Sequence, residues 1–201
     1  HRNADNIKAW LECFHARGRG LKVASHAHGA QGIINALHAG ADTIEHASFI
    51  DEEGIRLAIA NNAALSMDIY VTEYILGEGA SAGILEESLE KERMTGSTQR
   101  ANFRKAVEAG ATIVYGTDAG VYPHGQNAKQ FSRMVRFGMT PLQAIQSATG
   151  TAADVMGLGY EGGKIEAGYV ADFVAVKGNP LDTIELLESP SYVIKDGVRV
   201  R

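Results

Sequence analysis

Four residues of this chain have types and spacing that could do chemistry together: His26, His28, His46 and Asp118. Each falls where a short apolar run gives out. Residues 21–25 lead into His26-Ala-His28-Gly29, Asp42-Thr-Ile-Glu leads into His46, and Thr112-Ile-Val-Tyr-Gly-Thr leads into Asp118. Two neutral imidazoles and a carboxylate within a few ångströms of one another suit Zn²⁺ or another borderline divalent ion. Alternation along a strand puts Lys22, Ala24 and His26 on one face, and likewise Asp42, Ile44 and His46. Singly, each residue has a plainer reading, since a strand-end His is more often a hydrogen-bonded surface group than a ligand. His28 could join His26 on one ion, or could already lie in the following turn and only line the cleft. We take His26 as the ligand, with His28 beside the substrate.

These residues need elements to hold them. Ile7, Trp10, Leu11 and Phe14 recur at helical spacing and predict a helix over 4–17, stopped at Gly18. A second helix is expected over 30–39, ending at Gly40. A third starts at Asp51, an N-cap followed by Glu52 and Glu53, and ends near Asn61-Asn62. A strand over 64–68 then runs to a Gly- and Ser-containing loop at 77–83. A long polar helix is expected over 84–109, a strand over 112–118, and a helix over 126–137. Thr140-Pro-Leu-Gln143 reads as a capping box with Pro141 at the first helical position. Strand and helix thus alternate four times, the pattern of a parallel sheet with crossover helices. Ligands bind such sheets at the C-terminal ends of the strands, where His26, His46 and Asp118 fall. Beyond about residue 158 the pattern becomes strands joined by Gly turns, closing in a hairpin at Asp196-Gly197. No crossover helix separates those strands, so they form a different, antiparallel unit.

Composition narrows the class of function. The chain has 201 residues, 45% of them hydrophobic, enough for a sizeable core. Its 19 basic and 24 acidic residues give a net charge of −5, which argues against a nucleic-acid groove. No Lys/Arg run marks a membrane surface, and no apolar stretch approaches the ~20 residues that cross a bilayer. The expectation is a soluble enzyme, with the lone Cys13 mildly favouring the cytoplasm and excluding an intrachain disulfide. Cys13 reads as packing on a core helix and His38 as structural, whereas His1 and His15 read as surface groups. Glu86–Glu92 reads as a solvated helix face. Ser48 and Ser66 lack a G-x-S-x-G setting. Because the first residue is His1, we expect the chain to begin inside a longer protein.

The segments Val23-Ala-Ser-His26-Ala-His28-Gly29, Gly40-Ala-Asp-Thr-Ile-Glu-His46, Gly116-Thr-Asp118-Ala-Gly120 and His124-Gly125 resemble the second half of an amidohydrolase-superfamily barrel. So do Thr140-Pro141-Leu142, Gly163-Lys-Ile-Glu-Ala-Gly168-Tyr-Val-Ala171-Asp172, Asn179-Pro180-Leu181 and Val193-Ile-Lys-Asp-Gly197. Within the superfamily the chain is most similar to the prolidase-like, Xaa-Pro and Xaa-Arg dipeptidase branch, close to imidazolonepropionase. The resemblance implies α/β architecture: strands five to eight of a TIM-type (β/α)8 barrel over residues 1–158. Residues 159–201 would supply strands of a small composite β-sandwich. It further implies His26, His46 and Asp118 as metal ligands, with Asp118 also moving the proton, and His28 and His124 on the substrate side. The implied cofactor is zinc, one ion or two, and the implied reaction is hydrolysis of a dipeptide or N-acyl amino acid by metal-activated water. Alternatives are a cyclic-amide hydrolase of the imidazolonepropionase kind, or a non-catalytic binding module if no upstream half exists. The family's strand-one His-x-His pair and strand-four lysine would lie upstream of His1. The missing barrel half would come from the same chain, or the fragment would associate with copies of itself.

Overall fold

A computed structural model describes residues 11–201; the predicted helix at 4–17 lies partly outside them, as does His1. Residues 11–17 (α1) are helical and turn to β1 (Ala24–Ala27). Then come α2 (Ala30–Ala39), β2 (Thr43–His46), α3 (Glu52–Ala60), β3 (Ala64–Ser66), α4 (Val71–Glu78), α5 (Glu86–Glu108) and β4 (Ile113–Val114). Helices α6 (Lys129–Arg136), α7 (Pro141–Ser147) and α8 (Gly150–Met156) follow. The remaining strands are β5 (Phe173–Ala175), β6 (Tyr192–Lys195) and β7 (Val198–Arg199), with a 3-10 turn at Ile184–Glu188.

β1 to β4 form one parallel sheet in chain order. Its register aligns Ser25, Ile44, Leu65 and Ile113 in one row. Ile44, Leu65 and Ile113 are buried in a core shared with Ile33 and Leu37 of α2, Ile55 and Ala58 of α3, and Phe103 and Ala106 of α5. Burying an Ile or Leu side chain contributes about 1.5–3 kcal/mol, so this row ties the sheet to its helices. The next row, His26, Glu45, Ser66 and Val114, has the opposite side-chain direction.

The helix boundaries follow the local chemistry. Asp51 caps α3 by accepting from the Gly54 N–H at 2.8 Å. Thr140 and Gln143 close the expected capping box on α7. Cys13 is buried and His15 exposed, as expected, but His38, read as structural, is exposed on α2. Two further expectations need adjustment. The predicted strand 112–118 pairs only over Ile113–Val114, because the Tyr115 N–H leaves the ladder for the Ser147 carbonyl at 3.0 Å. Residues 71–78 form a helix, α4, where the sequence showed only a run toward a loop. Val71, Thr72 and Tyr74 are poor helix formers, and burial overrides that propensity, of Thr72 against α5 and of Val71 and Tyr74 in a cluster with Tyr122. The approach of α5 is close: a Cβ at Gly96 would lie 2.4 Å from Thr72 Cγ2.

β5, β6 and β7 make a separate antiparallel sheet. Its hairpin turns at Asp196 and Gly197, whose φ angles of +52° and +76° suit a type I′ turn. No helix among the described residues is long and apolar enough to cross a membrane.

Candidate metal centre

His26 stands on the open side of the sheet, opposite the buried Ala27. Regular alternation would send His46 the other way, beneath the helices with Ile44. It does not go there, because the backbone turns left-handed at His46 (φ +66°) and Ala47 (φ +48°). The ring consequently meets His26, with centroids 4.5 Å apart. Such a conformation costs a non-glycine residue about 1–3 kcal/mol and persists only where the surroundings impose it. Asp118, past the end of β4, also sits at positive φ, +49°. Both strand-end residues reach the site through backbone that strand periodicity does not describe.

Two overlapping groups result. His26, His28 and His46 form one, and His46, Asp68 and Asp118 form the other; within each group the candidate ligand atoms lie within 4.8 Å of one another. A cavity of about 170 Å³ opens here, lined by Glu45, His46, Ser66, Asp68, Gly116, Thr117 and Asp118. A larger cleft of about 780 Å³, between α6, α7 and the antiparallel sheet, holds none of the histidines.

Ring geometry separates the histidines. The His26 plane stands at 72° to that of His46, so their in-plane lone pairs can converge on one point. His28 instead stacks on His46 at 13° and 4.6 Å, and nearly parallel planes do not share a ligation point in both. His28 Nδ1 is also engaged with Ser48 Oγ at 2.9 Å. His46 Nδ1 lies 3.1 Å from Asp68 Oδ2.

Charge is balanced unevenly. Desolvation lowers the His28 pKa, helped by the neighbouring His46 and His26 rings, and favours a neutral imidazole. His46 is raised, mainly by its hydrogen bond to Asp68 and against its own desolvation. Desolvation raises the Asp118 carboxyl, and the negative charge of Asp68 adds to that. Imidazoles facing two carboxylates are the donor set of a borderline divalent cation, so the residues present fit zinc chemically.

Four of the five residues singled out in the sequence are therefore brought together: His26, His28, His46 and Asp118. His124 is not; it lies exposed on the loop after Asp118 and outside both groups. Asp68 and Glu45 were missed, and Ser66 was set aside for lack of a nucleophile motif. Asp68 closes the run expected as strand three, so the rule that selected His46 and Asp118 would have selected it too.

The amidohydrolase family pattern matches residues 3–200, nearly the whole chain. The chain belongs to the amidohydrolase family. It is 34% identical over 175 residues to an ochratoxinase of Aspergillus niger, covering 85% of this chain and 35% of that protein. Among solved structures it resembles a Xaa-Pro dipeptidase with methionine bound in its active site: 39% identity, TM-score 0.92, 98% of this chain and 48% of that one. A prolidase complexed with N-methylphosphonate-L-proline superposes with a TM-score of 0.91 at 25% identity, over 98% of this chain and 49% of that one. The chain thus spans about a third to a half of the length of these amidohydrolase relatives.

Proposed function

We propose that the intact protein is a metal-dependent hydrolase that cleaves the amide bond of a dipeptide or an N-acyl amino acid. The meeting of His46 with His26 on one side and with Asp118 on the other, at the ends of β1, β2 and β4 of one parallel sheet in an amidohydrolase-family chain, carries this reading. In this reading β1 to β4 are strands five to eight of a (β/α)8 barrel, and residues 1–158 form half of it. The strands of 159–201 join a composite β-sandwich. The upstream half would cover the open side of the sheet, where His26 and His28 are exposed.

His26 and His46 would hold the ion, most simply zinc, together with Asp118. When bound, a divalent ion polarises a carbonyl and lowers the pKa of water toward ~7. Asp118 takes the proton of the attacking water and returns it to the departing amine, serving first as base and then as acid. His28, whose Nδ1 is tied to Ser48, turns its other nitrogen to the substrate. His124, exposed on the loop after Asp118, meets the substrate's carboxylate or carbonyl. Likeness to proteins named prolidase and Xaa-Pro dipeptidase favours a linear peptide bond over a cyclic amide.

The test is hydrolysis of Xaa-Pro dipeptides and N-acyl amino acids by the full-length protein, before and after metal chelation. We expect turnover of one class, lost on chelation and restored by zinc. A metal-replete protein that cleaves neither class would overturn the proposal.

A further inference from the structure

We infer that Asp68 is the positioning residue of this centre, and that Gln99 holds it in place so that His46 presents Nε2 to the ion. This inference rests on the proposed metal site and concerns how the chain builds it.

Asp68 is buried at 4% exposure in the segment just past β3. Its two oxygens are spent on two partners: Oδ2 on His46 Nδ1 at 3.1 Å, and Oδ1 on the Gln99 amide at 3.3 Å. An ionised carboxylate only accepts hydrogen bonds, so both partners must donate. For His46 this puts the proton on Nδ1 and leaves Nε2 as the nitrogen free to act with His26. For Gln99 it turns Nε2 to Asp68 and leaves Oε1 facing the Thr72 hydroxyl at 3.3 Å. That hydroxyl has a single proton, and the nearer Glu92 carboxylate takes it.

Gln99 and Thr72 are themselves buried, at 4% and 0% exposure, so this polar path crosses the packed seam between α4 and α5. One turn beyond Gln99, the buried Asn102 donates to the Ser48 carbonyl at 3.0 Å, bracing the loop whose Ser48 hydroxyl engages His28. Two polar residues on successive turns of α5 therefore reach the segments that follow β3 and β2. Buried amides are costly unless fully bonded, and here their bonds converge on the two histidine partners, Asp68 and Ser48. A partner on the second ring nitrogen fixes the tautomer and ring orientation of a metal-binding histidine and raises its basicity.

The experiment measures zinc dissociation constants by chelator competition, and the visible spectrum of the Co²⁺-loaded form. It uses the full-length protein and its Asp68→Asn, Asp68→Ala and Gln99→Leu variants. Circular dichroism monitors the fold. Asp68→Ala should weaken zinc by about ten- to a hundredfold and shift the Co²⁺ bands. Asp68→Asn, which keeps an acceptor oxygen, should recover part of that loss, and Gln99→Leu should weaken zinc less than Asp68→Ala. Wild-type affinity and Co²⁺ bands in folded Asp68→Asn and Gln99→Leu would overturn the inference, even if Asp68→Ala fails to fold. Loss of one ion with undiminished affinity for another would also overturn it, because Asp68 would then be a ligand. A wild type that binds zinc but cleaves no amide would overturn the proposed function and leave this inference standing. Unchanged metal affinities in an active enzyme would remove the inference alone.

Discussion

The two sheets of this chain treat polar residues in opposite ways. In the parallel sheet the row through Ile44 and Leu65 is sealed under helices, and the unusual backbone angles occur where strands end, at His46 and Asp118. In the antiparallel sheet every strand residue is partly or fully exposed. There an acidic group, Asp172, also draws several partners: it accepts from the Asp196 N–H and from Lys195 Nζ, each at 2.8 Å. Those bonds only pin the start of β5 to the β6–β7 turn. Asp68 has as many partners, but one is a histidine that faces two other rings. What distinguishes a site from a staple here is where the partners lead.

The largest effect that would sharpen this contrast is at Asp118. In the intact enzyme, Asp118→Asn should keep the fold and most of the metal while lowering kcat by at least ~10²-fold. Near-wild-type turnover would remove Asp118 from proton transfer and weaken the distinction between the sheets.

Next in size is the packing seam behind the site. Gly96→Ala should push α5 from α4, because its Cβ would meet Thr72 Cγ2 at 2.4 Å. Overpacking of this kind costs about 1–3 kcal/mol. A lowered denaturation midpoint with an unchanged slope is the expected outcome. An unaffected midpoint would show that the seam is not tightly packed.

The smallest effect belongs to the hairpin. The Asp196 backbone N–H, and then Lys195, hold the Asp172 carboxyl below its ordinary value of 3.8. A group depressed in the folded state stabilises above its unfolded pKa, and that contribution fades as pH falls through the lower folded value. The difference in stability between wild type and Asp172→Asn should therefore be small at neutral pH, shrink in acid below about pH 4, and leave metal binding untouched. A difference that persists unchanged in acid, or a loss of metal, would break the comparison.

Much of this was legible in the sequence, and the residues show why. The α2 limits, the Asp51 cap and the Thr140–Gln143 box were readable because each depends on a few neighbours. His26, His46 and Asp118 were readable as strand-end residues of metal-binding type, and family membership agreed with the motifs around them. Helix α4 was hidden because Val71, Thr72 and Tyr74 become helical through contacts with a segment twenty or more residues away. The turn that redirects His46 was hidden because a His is not a residue type that announces positive φ. Asp68 met the same strand-end rule, but its part in the site was hidden because its bonds reach back 22 residues to His46 and forward 31 to Gln99. Gln99 and Asn102 were lost in a helix that reads as polar throughout.

Everything proposed for this chain rests on His26, His46 and Asp118 enclosing one metal centre. Crystals of the zinc-loaded full-length protein would test it most directly, through anomalous scattering at the zinc edge. We expect a peak about 2.0–2.2 Å from a nitrogen of His26 and from His46 Nε2, with an Asp118 oxygen reaching the same centre. A zinc peak elsewhere, with His26 and His46 both unligated, would contradict it.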